Sequence, residues 1–224
     1  NSPVSEGVIA DLANMSRLTE ALLKKCGCST GFIRNNSFYL AVPSDISEVE
    51  KRAYYDLISR SSYNTRNIYI VEKPIAAAIG DRLPFIRGKG VMLVDMGAGT
   101  TEISVISGGG IAVSRMLRIG GNTINASVKR SIKEKFDIEI GFKTSEYVKL
   151  ELASAVPKNN REITVYGRDL ITGLPGSCRV SQRLVFDAMK EYLLQVIENV
   201  REIVQKIPPE MMKDILSNGI YFMT

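Results

Sequence analysis

Histidine is absent from this chain of 224 residues, and so is tryptophan. Without an imidazole there is no Ser-His-Asp triad, no histidine general base and no histidine-held metal. Cysteine is scarce. Cys26, Cys28 and Cys178 are an odd number, two of them in a C-x-C, which makes no disulfide framework and fits a reducing cytosol. That close pair reads as small residues ending a helix. Long apolar runs are missing too: no stretch approaches the roughly 20 residues that cross a bilayer. No secretory signal pattern stands in the sequence, which opens at Asn1 rather than a methionine. The net charge of +5 comes from lysines and arginines interleaved with acids, so no basic stripe for nucleic acid forms. At 45% hydrophobic and 24% charged, the chain has an ordinary globular composition, and its length allows one large domain or two modest ones.

What is present is concentrated between Gly90 and Gly121, GVMLVDMGAGTTEISVISGGGIAVSRMLRIGG. An apolar run from Val91 to Val94 ends in Asp95. The small-residue turn Gly97-Ala98-Gly99-Thr100-Thr101 follows, and then the alternating run from Glu102 to Ser107. Strand, glycine turn and strand predict a hairpin whose tip brings backbone N–H groups close to phosphate oxygens. An aspartate at the strand end can hold hydrated Mg²⁺ beside them. The segment therefore nominates a nucleotide.

The rest of the chain alternates helices and strands. Ser16 to Lys25 predicts a helix with Leu18, Leu22 and Leu23 on one face. Ser37 to Val42 reads as a strand. Ser47-Glu48-Val49-Glu50 has the form of a capping box opening a helix to about Arg60. Asn67 to Val71 is a strand, and Pro74 suits the first turn of an alanine-rich helix that Gly80 can close. Strands are expected at 91–95, 101–107 and 111–119, and helices over 122–136 and 144–155. Glu162–Tyr166 and Arg179–Val180 read as strands around a turn-rich stretch, Gly167 to Ser177. The longest helix, Leu184 to Ile207, carries Val185, Met189, Tyr192, Val196, Val200, Ile203 and Ile207 at steps of three and four, a core-facing stripe. Pro208-Pro209 stops it and a short helix to Ser217 follows. Ile220 to Met223 predicts a buried strand, and one cut at the chain end reads as a fragment of a longer protein.

Seven collinear blocks then resemble one family, the bacterial actin MreB and its Mbl paralogue. The hairpin is similar to the family's VD-[IL]-GGGTTE. Glu6-Gly-Val-Ile-Ala-Asp11, VPS-x-x-x-x-VE-x-RA over Val42–Ala53 and VE-x-P-x-AAAIG-x-x-LP over Val71–Pro84 match in order. So do the block over Ile140–Glu151, GRDLITGLP over Gly167–Pro175 and PPE-x-x-x-DI over Pro208–Ile215. The resemblance implies an α/β, actin-like ATPase fold of the ribonuclease-H-like type, partial and in two lobes. In those terms residues 1–86 are part of subdomain IA with the hinge helix, and 87–121 the phosphate hairpin and strands of IIA. Residues 122–183 are then IIB, and 184–224 return to IIA. The family's first phosphate hairpin is expected to precede Asn1, and its GGGA adenine loop to follow Thr224.

The resemblance also implies a function: an ATP- and Mg²⁺-binding cytoskeletal protein that forms filaments with itself. Such a protein works in the cytoplasm at the inner face of the cell membrane, with the cell-wall elongation machinery, and maintains rod shape. Asp95 matches the residue that orients Mg²⁺ through water. Gly97, Ala98, Gly99, Thr100 and Thr101 match the phosphate loop, and Glu146, Tyr147, Val148 and Lys149 the ribose and base helix. Glu50 and Thr100 match residues that orient the attacking water, the positioning work that dominates phosphoryl transfer. Phe32 and Ile33 fall where some members carry a membrane-inserting pair.

Each residue also has a plain structural reading. Asp95 can cap a turn, Glu50 is the N3 residue of the Ser47 capping box, and Glu146 with Lys149 can be a surface pair. Ala98 stands where the family has glycine; if the turn needs a positive φ there, alanine costs on the order of 1 kcal/mol. The family's GD-x-x-D reads Gly121-Asn122-Thr123-Ile124-Asn125, and its VEEP reads Val71-Glu72-Lys73-Pro74. These departures leave open a non-hydrolysing actin-like scaffold. A heat-shock-type chaperone ATPase or a sugar kinase on the same fold lacks GRDLITGLP followed by PPE.

Overall fold

The computed structural model describes residues 3–5, 8–28, 36–63, 65–86, 88–156 and 161–223. In chain order the elements are β1 (Val4–Ser5), β2 (Val8–Ile9), α1 (Leu12–Lys25), β3 (Asn36–Val42), α2 (Glu48–Ser59) and β4 (Thr65–Glu72). Then come α3 (Lys73–Gly80), β5 (Val91–Met96), β6 (Thr101–Ser107), β7 (Gly110–Leu117), α4 (Gly121–Phe136) and β8 (Ile138–Glu139). The remainder is α5 (Phe142–Leu152), β9 (Glu162–Asp169), β10 (Pro175–Ser181), α6 (Gln182–Lys206), α7 (Pro209–Asn218) and β11 (Ile220–Met223).

Local chemistry sets the ends. Asp11 caps α1, its carboxylate accepting the Asn14 N–H at 3.0 Å, so this helix starts before the Ser16 the apolar spacing suggests. Lys24 and Lys25 favour the dipole at its last turn, and Cys26 closes it. Both halves of the Ser47 capping box form at α2. Pro74 occupies the first turn of α3, whose missing N–H costs nothing there.

The chain divides into two compact units. The first comprises Asn1–Asp95, Glu102–Met116 and Ile207–Thr224. It holds the parallel pair β3–β4, in register from Phe38 with Ile68 to Val42 with Glu72. It also holds most of a four-stranded sheet ordered β11-β5-β6-β7. Val91 to Val94 and Ile103 to Ile106 are buried, the near-continuous apolar pattern, broken by Ser104, of strands covered on both faces. Ala78, Leu83 and Phe85 pack with Val91, Leu93 and Ile106 as a core. Ile220–Met223 is a strand, as the sequence predicts, parallel to β5 with Tyr221 beside Leu93. It is not a buried one. It lies at the sheet edge and leaves Phe222 exposed.

The second unit comprises Met96–Thr101 and Leu117–Lys206. Helices α4, α5 and α6 and the sheet β10-β9-β8 enclose Ile132, Ile140, Val148, Leu152, Val165 and Val185. The expected stripe on α6 buries Val185, Met189, Val196 and Ile203, and Ser127 of α4 donates to the Ala188 carbonyl at 2.9 Å. The stretch read from sequence as turn-rich is mostly strand. Gly176 pairs with Gly167 inside the β9–β10 ladder. β8 requires glycine at Gly167: a Cβ there would stand 2.5 Å from the Glu139 carbonyl oxygen, whereas one at Gly176 would meet the movable tip of the Ile138 side chain at 2.9 Å. The real turn, 170–174, is held by Asp169, whose Oδ1 accepts the N–H groups of Ile171 and Thr172 at 2.8 and 2.9 Å. Those two donors hold its carboxyl below the usual aspartate range.

Candidate functional site

The turn between β5 and β6 is closed by the Gly97 N–H donating to the Thr100 carbonyl at 2.9 Å. Its other face docks on the start of α4. The Gly121 N–H donates to the Gly97 carbonyl at 3.0 Å, and the Asn122 N–H to the Ala98 carbonyl at 2.7 Å. Two amides that every helix leaves without intrahelical partners are thereby satisfied by the turn. The turn's carbonyls point to α4, and the N–H groups of Ala98 and Gly99 have no partner among the described residues. Ala98 is exposed and Gly99 and Thr100 are half-buried. Two adjacent amides free to donate at an accessible tip are the donor set of an anion nest.

Gly120 makes this docking possible. Its φ of −157° is one any residue adopts, so conformation does not demand glycine. Space does: a Cβ there would lie 2.7 Å from both the Gly97 and Ala98 carbonyl oxygens. Ala98, for its part, sits without strain. Among the described residues, the non-glycine residues with positive φ are Arg82 and Asp137, so alanine in the turn carries no left-handed cost.

Lys149 of α5 reaches the same place, its Nζ donating to the Gly121 carbonyl at 3.4 Å. The structure thus brings together, through Gly121, the expected phosphate turn and one residue of the expected base-side helix. Glu146 and Tyr147 of that helix are exposed. Val148 is fully buried in the core of its unit. Thr101 is fully buried as well, its hydroxyl donating to the Ile119 carbonyl at 2.7 Å. The side chains of these last two therefore face the interior, because β6 and α5 each need an inward residue at that step.

Glu50 lies in the other unit, at the start of α2. Its Oε2 accepts the Ser47 N–H and the Ser47 hydroxyl, each at 2.7 Å. These bonds hold its carboxyl below the usual glutamate range. The capping reading is realised, and the carboxylate is charged and oriented.

Asp95 is the penultimate residue of β5, its side chain 16% exposed, and its Oδ2 is ion-paired with Lys73 Nζ at 2.6 Å. Mg²⁺ needs near-octahedral geometry and keeps several waters when a single carboxylate holds it. The Lys73 ammonium is in direct contact with Oδ2, and no cluster of three or more Cys, Asp or Glu that could hold a metal forms among the described residues. The described residues therefore offer Mg²⁺ no set of direct carboxylate ligands, and the contact through water expected from sequence needs only the second oxygen of Asp95.

Sequence reasoning registers Lys73 only as a departure and passes over Gly120. It also misses a buried polar knot. Glu102, 4% exposed, accepts the Ser44 N–H at 2.9 Å and a short hydrogen bond from the Ser44 hydroxyl. Ser114 joins Ser44 and Ser104 at 2.6 and 2.8 Å. An acid at the start of an alternating strand run was the one available signal. Phe32 and Ile33 lie outside the described residues.

The sequence pattern of the MreB/Mbl protein family matches residues 1–224. Among curated relatives, the cell shape-determining protein MreB of Escherichia coli is 34% identical over 220 residues, which are 97% of this chain and 62% of that protein. Mbl of Bacillus subtilis is 31% identical over 223 residues, 97% of this chain and 65% of that one. The chain thus spans less than two thirds of these relatives. Among solved structures, MreB5 of Spiroplasma citri bound to ADP superposes with a TM-score of 0.90 at 30% identity, covering 99% of this chain and 66% of that one. The same protein bound to AMPPNP agrees equally well. A MamK double helical filament, 20% identical, shares the fold with a TM-score of 0.79, over 99% of this chain and 66% of that one.

Proposed function

The chain belongs to the MreB/Mbl family and has its actin-like fold, and from that premise we propose that it works as an ATP-binding, filament-forming bacterial actin homologue that organises cell-wall synthesis and maintains rod shape. The observation that carries the nucleotide is the turn at Gly97–Thr100. Its carbonyls are consumed by α4, while the amides of Ala98 and Gly99 are left for phosphate oxygens. Lys149, held at the same helix start, supplies positive charge toward ribose or phosphate. The MreB5 neighbours bound to ADP and AMPPNP support a nucleotide here, and the filamentous MamK neighbour supports self-assembly on this fold. No helix among the described residues is long and apolar enough to cross a membrane; the inner membrane face as workplace and the elongation machinery as partner are part of this proposal. Mg²⁺ would accompany the phosphates, met by Asp95 through water.

A second reading is favoured by a specific observation. With Glu50 committed to Ser47 and Asp95 to Lys73, the nucleotide can be a structural ligand of a non-hydrolysing scaffold. One experiment tests the proposal and separates the two readings. Full-length protein is pelleted and imaged with and without ATP while phosphate release is followed, for wild type and Glu50→Ala. ATP-dependent filaments are expected in both proteins. A phosphate-release rate reduced about 100-fold in the variant identifies Glu50 as catalytic, whereas equally negligible release in both identifies the scaffold. No filaments under any nucleotide condition would overturn the proposal.

A further inference from the structure

The turn between β9 and β10 presents aliphatic side chains to solvent. Ile171 is 80% exposed and Leu174 65%, and Leu170 beside them is exposed as well. The backbone donors of this turn are all satisfied within the protein. Leu170 donates its N–H to the Asp137 carbonyl and Gly173 to the Asp169 carbonyl, each at 2.9 Å. Asp169 Oδ1 accepts from Ile171 and Thr172, and the Thr172 hydroxyl from Leu174 at 3.3 Å. The tip can therefore leave water without stranding an amide. It is also held in one shape before it meets anything, which spares the ordering cost of docking.

Behind the tip the surface is basic. Exposure alternates along β9, so Tyr166 and Arg168 lie on its outward face. Arg179 of β10 shares that face, paired across from Thr164. Arg168 Nη2 lies beside the turn, 3.8 Å from where a Cβ on Gly173 would stand. The acid on this face is Glu162, six residues before Arg168 and roughly 20 Å away along the strand. At the base of the turn α4 ends with Lys133 and Lys135 in its last turn. The acids there are Glu134 and Asp137, together with Asp169, whose carboxylate is turned onto the two amides. Glu139 is already paired with Lys129 at 3.7 Å.

An aliphatic tip followed by tyrosine and arginine is the order in which side chains meet a bilayer, hydrocarbon first and headgroups behind. Resting on the proposed work at the inner membrane face, we propose that the β9–β10 turn inserts Ile171 and Leu174 into the surface of an anionic lipid bilayer. Arg168 and Arg179, with Lys133 and Lys135, then meet the lipid phosphates. A small apolar insertion and a basic collar are each weak alone, and the two signals together make a reversible anchor.

The test is co-sedimentation of the full-length protein, without nucleotide, with vesicles of equal parts phosphatidylglycerol and phosphatidylethanolamine. Wild type is expected to bind. A variant carrying Ile171→Asp and Leu174→Asp is expected to bind at least about tenfold more weakly, with an unchanged melting temperature because both positions are exposed. Ile171→Trp places a fluorophore in a chain that has no tryptophan. Its emission, taken against wild type, is expected to shift to the blue on vesicles and to be quenched by lipids brominated on their acyl chains. A double variant that binds as tightly as wild type overturns the inference and leaves the membrane-face reading standing. So does emission from position 171 that brominated lipid leaves unquenched, the result of a turn that docks on a second copy of the chain. A wild type that does not bind these vesicles overturns the membrane-face reading itself, and this inference with it.

Discussion

Gly120→Val is expected to lower the melting temperature of the full-length protein by roughly 5–10 °C and to weaken ATP binding by at least about tenfold. A Cβ at this position meets the Gly97 and Ala98 carbonyl oxygens at 2.7 Å, closer than carbon and oxygen approach without bonding. Those oxygens are the ones that accept from Gly121 and Asn122. Relief therefore moves the turn away from α4 and breaks both hydrogen bonds, an overpacking cost of about 2–3 kcal/mol. The displaced turn no longer aims the Ala98 and Gly99 amides, and each hydrogen bond lost to a charged phosphate costs about 1.5–3 kcal/mol, roughly tenfold or more in affinity. The neighbouring glycine is the control. A Cβ at Gly121 meets the end of the Lys149 side chain at 3.1 Å, which can swing aside, and the turn's backbone at an ordinary 3.9 Å. Gly121→Ala should keep its melting temperature, aided by the better helix propensity of alanine, and should lose less ATP affinity than Gly120→Val because only Lys149 moves. Thermal melts and ATP titrations of the two variants measure this, and equal behaviour would refute the docking role of Gly120.

Glu102→Ala is expected to cost about 2–4 kcal/mol, read as a fall in melting temperature of roughly 5–10 °C. Glu102 sits in β6, one residue beyond the turn sequence, and its carboxylate is the acceptor for both the N–H and the hydroxyl of Ser44. Ser44 follows β3 in the chain, so the contact joins segments 58 residues apart. Removing the carboxylate strands a backbone donor and leaves the Ser44, Ser104 and Ser114 hydroxyls around a vacated volume. Glu102→Gln keeps a carbonyl acceptor of the same shape and should lose clearly less than the alanine variant. Denaturant or thermal unfolding decides it. An alanine variant as stable as wild type would show that the knot contributes nothing.

Gly120 and Glu102 also show why the sequence was legible in some places and opaque in others. The hairpin, the Ser47 capping box and the α6 stripe are written in local patterns: small residues in a turn, an acid three positions after a serine, apolar steps of three and four. Such patterns survive translation into structure because their partners are near in sequence. Gly167 and Gly176 misled for the opposite reason. Glycine signals a turn locally, yet at Gly167 it is required by β8, more than 25 residues earlier. Gly120 is the same case at the site, since nothing near it reveals that the Gly97 and Ala98 carbonyls lie overhead. Ala98 shows the reverse error. A glycine position in the family suggested strain, but the turn's backbone stays outside the left-handed region at that residue. Lys73 is visible in sequence only as a misplaced cation, and its meaning depends on Asp95, 22 positions later, lying 2.6 Å away.

The central claim is that the backbone amides of Ala98 and Gly99 hold nucleotide phosphate. Hydrogen–deuterium exchange of the full-length protein, with and without saturating ATP, reads those amides directly. Slowed exchange in the peptide covering Gly97 to Thr100 is expected when ATP is bound. Unchanged exchange there, in a sample shown by titration to be saturated, would contradict it.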